Sequence, residues 1–465
     1  AEMRINMEKK NTWETYSSKQ LKELEKINAQ YRDFLDNGKT ERECIDTIVN
    51  TIEKSGYREL ESLIKEGAAL KTGDKVYSVW MNKSIAMFQI GRKPMTDGMN
   101  ILGAHIDSPR LDVKQNPLYE DGGFAYLDTH YYGGVKKYQW VTIPLAIHGV
   151  IVKKDGTCVE INIGENEDDP VFFVSDLLIH LAQEQLEKKA AKVIEGEALD
   201  IIVGNKPLLI DKKDKKKDEK EAGKEAVKAG VLDILKETYD IHEEDFVSAE
   251  LEIVPAGKAR EAGFDRSMTL AYGQDDRVCA YTSMQAMLDS DVTDRTMCCI
   301  LVDKEEIGSV GATGMQSHFF ENAVAEVMNL AGEYSELNVR RCLAHSCMLS
   351  SDVSSAFDPT YASSFDKKNV AYLGGGMVIN KFTGARGKSG SNDANAEYLA
   401  HLRHIFDKAE VNFQTAELGK VDLGGGGTIA YILALYGMNV IDSGVAVLNM
   451  HAPWEATSKA DVYEA

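Results

Sequence analysis

The chain of 465 residues carries 53 Lys and Arg against 74 Asp and Glu, for a formal net charge of −21, and 43% of it is hydrophobic. That composition fits a globular protein with a large core and length enough for two or three domains, while the charge argues against nucleic acid or an anionic membrane surface as a partner. No apolar run reaches the ~18–20 residues a membrane-crossing helix needs, and the opening stretch "AEMRINMEKKNTWETYS" lacks the apolar centre of a signal peptide.

From about Ser17 to Tyr57 the spacing predicts helix, in "SKQLKELEKINAQYRDFLD" and, after a turn, "TERECIDTIVNTIEKSG". From Val76 the pattern turns strand-like, in "KVYSVWMNKSIAMFQIG" and "MNILGAHIDSP". A turn-rich section follows, then short β-like runs such as "WVTIPLAIHGVIV" and "CVEINIG". "DKKDKKKDEKEAGKEAVK", from Asp211, has almost nothing apolar to bury and reads as a solvated loop or exposed helix. After Phe264 apolar runs alternate with helical stretches, the signature of a largely parallel sheet covered by helices. The parse is an α/β domain, residues 1–111 and 255–465, interrupted by a β-rich insertion, residues 112–254. The seven cysteines (44, 158, 279, 298, 299, 342 and 347) are scattered without a C-x-x-C pair. They read as reduced thiols, several of them small buried hydrophobes, in a cytoplasmic protein.

Five places combine an apolar run with metal-capable side chains. "NILGAHIDS" delivers His105 and Asp107, and "AYGQDDRVCA" offers Asp275 and Asp276. "CCILVDKEEIGS" ends in Glu305 and Glu306, "CLAHSCMLSSDVS" ends near Asp352, and "SGVAVLNMHAPWE" delivers His451. In open α/β sheets ligands bind beyond the carboxyl ends of the strands, so strand-terminal groups gather at one edge. Imidazole with carboxylate suits zinc, and also manganese or cobalt. The set exceeds what one catalytic zinc requires and would serve two ions bridged by a carboxylate. Each piece has an ordinary reading too: adjacent glutamates are usually solvated, and "DDR" can simply open a helix.

Together "GAHIDSPRLDVK", "DTHYYGG", "GFDRSMTLAYGQDDRVCAYTS", "DKEEIGSVGATG", "SSDVSSAFDP", "GKSGSNDA" and "MHAPWE" resemble the aspartyl aminopeptidase family of dinuclear zinc exopeptidases, in its bacterial branch. The resemblance implies a mostly parallel sheet flanked by helices, of zinc-exopeptidase type, with an inserted β-rich dimerisation domain. It implies a metal-dependent aminopeptidase that removes N-terminal residues, with Asp and Glu as candidates, through a metal-bridged water. His105 and Asp352 would hold one ion, Glu306 and His451 the other, and Asp275 would bridge them. The ions would be zinc, with cobalt or manganese as substitutes. Glu305 and Asp107 would be the catalytic pair, Glu305 as general base and Asp107 as the group that orients His105. A cis peptide bond after Asp275 is implied as well.

Acidic specificity needs a cation, for which Lys381, Arg386 and Lys388 are candidates. The partners implied are peptide substrates and further copies of the chain, as dimers assembled into a dodecamer, with neither nucleic acid nor membrane. The insertion departs from the eukaryotic pattern: Ser175 and Asp176 stand where that branch has Pro-His, and His180 remains in "IHL" with a structural role expected. Ala452 replaces the serine of the usual "MHS-x-x-E", while Glu455 is kept. The alternatives are a related dinuclear-metal amidohydrolase or deacylase, or a catalytically silent assembly protein.

Overall fold

The computed structural model describes residues 11–209 and 225–465. Helix formation begins where the sequence signals it. Ser17 caps the helix Ser18–Asn37 with a capping box: its hydroxyl accepts from the Gln20 amide at 3.3 Å and the Gln20 side chain accepts from the Ser17 amide at 2.9 Å. Leu24, Asn28, Tyr31 and Leu35, three or four residues apart, form its buried stripe. Thr40 caps the following helix, Glu41–Glu53, by accepting from the Glu43 amide.

The chain divides into two compact units, one comprising residues 1–108, 259–450 and 454–465, the other Pro109–Lys258 with His451–Pro453. The first is built on a nine-stranded sheet. In spatial order its strands are Arg58–Glu59, Lys75–Trp80, Ser84–Gln89, Met297–Val302, Asn100–His105, Cys347–Ser351, Asn439–Gly444, Met377–Asn380 and Phe413–Thr415. The four central strands, from Met297–Val302 to Asn439–Gly444, run parallel, and antiparallel pairings flank them. Helices cover both faces. Helices Phe319–Leu330 and Glu336–His345 pack on Ile101, Ile300, Met348 and Val440. On the other face Ser18–Asn37, Glu41–Glu53 and Gln274–Asp289 pack on Ala104, Cys299 and Leu301. Burial on both faces explains why "MCCILV" is apolar without alternation: every residue of that strand is buried. A five-stranded sheet, from Arg260–Ala262 to Ser354–Ser355, completes this unit.

The second unit is a six-stranded antiparallel sheet, in the order Cys158–Ile163, Leu145–Val152, Ala249–Pro255, Arg110–Asp121, Phe124–Tyr132 and Ile201–Gly204. The helix Ala226–Tyr239 packs against it. Most of the charged run from Asp211 lies outside the described residues. None of the seven cysteines is in a disulfide, and five of them are buried. No helix among the described residues is long and apolar enough to cross a membrane.

Candidate metal centre

Parallel central strands bring their carboxyl ends to one edge, and the acidic and imidazole groups sit there. His105 is the last residue of its strand and is fully buried. The pair Glu305 and Glu306 occupies a single turn just after Met297–Val302, and Asp352 follows Cys347–Ser351 directly. Asp275 stands in the opening turn of Gln274–Asp289, and the Asp275–Asp276 peptide bond is cis.

His105 Nε2 lies 3.3 Å from Asp275, 3.5 Å from Glu305 and 3.8 Å from Asp352. Its Nδ1 is 3.1 Å from the Asp107 carboxylate and 3.0 Å from the Asp107 carbonyl, two acceptors, so that nitrogen carries a proton and Nε2 is the one turned toward Asp275, Glu305 and Asp352. Asp107 holds more than the imidazole. One of its oxygens accepts from the Glu305 amide and the other from the Glu306 amide, each at 3.1 Å. The backbone of the glutamate pair and the ring of His105 are thus tied to a single buried carboxylate. Glu455 accepts from the Asp275 amide at 3.2 Å, Ser108 donates to the Asp275 carbonyl at 2.7 Å, and Asp276 accepts from the His105 amide at 3.3 Å.

Ligand-capable atoms fall into overlapping groups, each within 4.8 Å: His105 with Asp275 and Glu306, His105 with Glu305 and Asp352, and Asp275 with Asp276 and Asp352. So many carboxylates around one imidazole are costly without a cation. Burial foremost, and then repulsion from Asp352 and the neighbouring aspartates, push Glu305 up to about 8. Burial likewise raises Asp352, and Asp276 still further. Burial by itself pulls His105 down, but the charge of Glu305 and the carboxylates of Asp107, Asp275 and Asp352 outweigh it and hold the ring well above its usual value. The donor set contains imidazole and carboxylate and no thiolate, and His105 Nε2 and Asp276 Oδ1 are buried with no hydrogen-bond partner. Both features fit a divalent cation of the zinc type.

The structure therefore brings His105, Asp107, Asp275, Glu305, Glu306 and Asp352 together in the first unit. His451 belongs to the second, where its Nδ1 is 2.8 Å from the Gly134 carbonyl and its backbone is left-handed at φ 68°. Lys381, Arg386 and Lys388 lie on an exposed loop. Lys388 pairs with Asp393 at 3.1 Å and sits over the Phe382 ring, while the Arg386 amide donates to the Val421 carbonyl. His180 is exposed, and Asp176 accepts from the Leu177 amide and the Gln185 side chain. Sequence reasoning assigned no role to Ser108, to Glu455 beside Asp275, or to the hold of Asp107 on two backbone amides. Contacts to backbone leave no residue-type pattern to read.

The model of the peptidase M18 family, described as aminopeptidase I zinc metalloprotease, matches residues 34–465. The chain belongs to the M18 aminopeptidase family. A probable M18 family aminopeptidase 1 of Clostridium acetobutylicum is 63% identical over 457 residues, covering 98% of this chain and 96% of the relative. The crystal structure of an M18 aminopeptidase of Thermotoga maritima, 44% identical, superposes with a TM-score of 0.91, covering 99% of this chain and 97% of that one. A dodecamer of S. cerevisiae mApe1, at 20% identity and a TM-score of 0.73, covers 94% and 93% and shares the fold. The M18 chain is thus an aminopeptidase, a zinc metalloprotease that hydrolyses peptides from the N-terminus, and zinc suits the imidazole and carboxylate donors gathered around His105.

Proposed function

We propose that this M18 aminopeptidase acts through two zinc ions, one held by His105 and Asp352, the other by Glu306 and His451, with Asp275 shared between them. The observation that carries this reading is that Asp275 belongs to two ligand-capable groups, one with His105 and Glu306 and one with Asp276 and Asp352. A shared carboxylate is what a pair of neighbouring ions requires. When bound, zinc polarises the scissile carbonyl and lowers the pKa of the attacking water. Glu305 takes the proton from that water and hands it to the leaving amine. Asp107 keeps the proton on His105 Nδ1 and fixes the glutamate turn through its amides. The anionic groups around the centre favour a substrate that presents its free α-ammonium group, which confines cleavage to the first residue.

Lys381, Arg386 and Lys388 are the cations proposed to receive an acidic first side chain. Assembly is proposed to run through the second unit, where Leu177, Leu178, Ile179, Leu181 and Leu186 expose a dense apolar strip of the kind that marks a protein interface. The arrangement proposed is dimers built into a dodecamer, the S. cerevisiae protein being a dodecamer, and cysteines outside disulfides agree with a cytoplasmic setting.

The test combines metal content with a substrate panel. The fully active enzyme is expected to carry two zinc ions per chain, to lose activity on chelation, and to recover it with zinc, cobalt or manganese. Peptides with free N-termini should be cleaved and N-acylated ones spared, with Asp and Glu preferred at the first position. Full activity at one ion per chain would overturn the two-ion reading.

A further inference from the structure

The turn that carries Glu305 and Glu306 is anchored from two sides. Asp107 holds the two glutamate amides. The root of the loop is closed by a separate cluster of Asp303, Thr313 and Ser84, all buried. The Thr313 hydroxyl donates to Asp303 Oδ2 at 2.6 Å, across ten residues of chain. The Asp303 amide reaches the Thr313 carbonyl at 3.1 Å and the Ser84 hydroxyl at 3.3 Å, and that hydroxyl itself donates to the Thr313 carbonyl. On its other oxygen Asp303 accepts from the Lys304 amide at 2.7 Å, and the Lys304 ammonium stands 3.2 Å from Oδ2.

We infer that Asp303 and Thr313, with Ser84, form a positioning clamp that sets where Glu305 and Glu306 point. The chain has just left a fully buried strand and must reverse within a few residues. Lys304 does so in a left-handed conformation, φ 68°, and Ser309 in another, φ 64°. Bulky L-residues rarely adopt that region, so the surroundings have to enforce it. Asp303 braces Lys304 at both its amide and its ammonium, and Thr313 closes the far end of the excursion. The Lys304 carbonyl then accepts from the Ser309 amide at 2.7 Å, and the Gln316 amide donates to the Ser309 carbonyl at 2.9 Å. Removing the Thr313 hydroxyl releases the loop root while Asp107 still holds the glutamate amides. The predicted result is a misplaced Glu305 carboxylate on a folded, metal-loaded protein. This inference rests on Glu305 being the general base.

The experiment uses zinc-loaded, full-length enzyme in four forms: wild type, Thr313→Val, Thr313→Ser and Ser84→Ala, with Glu305→Gln in parallel. Valine keeps the shape of threonine without the donor. A misplacement of about 1 Å can lower turnover by roughly 100-fold, so Thr313→Val is expected to lose about 10- to 100-fold in kcat with KM within about twofold. Thr313→Ser should restore kcat to within about threefold, and Ser84→Ala should lower it in the same direction. A Thr313→Val enzyme with a reduced melting temperature and wild-type kcat would overturn the clamp, because the bond would then serve stability alone. So would a kcat loss that serine does not rescue. Should Thr313→Val fail to fold, Ser84→Ala with wild-type kcat overturns the inference. If Glu305→Gln keeps wild-type activity, the base assignment itself fails; if only Glu305→Gln is inactive, the clamp alone fails.

Discussion

Replacing Asp107 by Asn tests how one carboxylate holds the centre together. Asp107 is fully buried and accepts from three donors: His105 Nδ1, the Glu305 amide and the Glu306 amide, each at 3.1 Å. Asparagine has nearly the same shape but a single acceptor oxygen, so its amide nitrogen must turn toward at least one of those donors. A buried N–H left without a partner costs about 1–3 kcal/mol, and the bonds that remain lose the assistance of the charge, which roughly doubles their strength. Outer groups that support a metal-binding histidine are typically worth about 10–100-fold in metal affinity. The two estimates agree, since about 1.4 kcal/mol corresponds to tenfold. Asp107→Asn is therefore expected to bind zinc about 10–100-fold more weakly in a chelator competition, and to lose activity at limiting zinc before it loses its fold. A folded variant with wild-type zinc affinity would refute the reasoning.

Further outcomes follow from groups away from Asp107. Asp442 is buried, accepts from Thr428 at 2.6 Å through one oxygen, and leaves the other without a partner; burial pushes it up to about 7. Because the folded value is raised, its stabilising contribution is complete below about pH 4 and disappears as pH climbs through about 7, a decline on the order of 3–4 kcal/mol. Denaturant titrations of wild type and Asp442→Asn should diverge in favour of the variant between pH 5 and pH 8, and parallel curves would contradict the assignment. A Cβ added at Gly444 would stand 1.9 Å from the Asp352 carbonyl oxygen. Gly444→Ala should therefore destabilise the fold by about 1–3 kcal/mol and weaken zinc binding, measured by melting and by chelator competition; unchanged zinc affinity would show that Asp352 does not move.

What the sequence made legible follows from where each residue's constraint comes from. "TMCCILV" reads as a buried strand because helices cover both faces, so no alternation survives in Met297–Val302. His105, the glutamate pair and Asp352 stand out because each ends such a run, and parallel strands deliver their ends to one edge. "KVYSVWMNKSIAMFQIG" is a hairpin, Lys75–Trp80 paired antiparallel with Ser84–Gln89, turning at Met81 and Asn82 with positive φ. What stayed hidden are bonds whose partner is backbone. Asp107 looked like an orienting group for one histidine, yet it also holds two amides nearly two hundred residues away. Asp303, one residue past that strand, has an amide and a carboxylate that meet Thr313 only because the chain returns there ten residues later. No periodicity encodes such long-range closures.

The central claim concerns Glu305, which burial and its anionic neighbours hold up to about 8 and which stands 3.5 Å from His105 Nε2. The direct measurement is kcat of zinc-loaded Glu305→Gln on a free N-terminal aminoacyl substrate, with metal content determined on the same sample. The account predicts undiminished zinc and a kcat lowered by at least about 100-fold, within the span ascribed to general acid–base catalysis. Full zinc occupancy with wild-type kcat would contradict it.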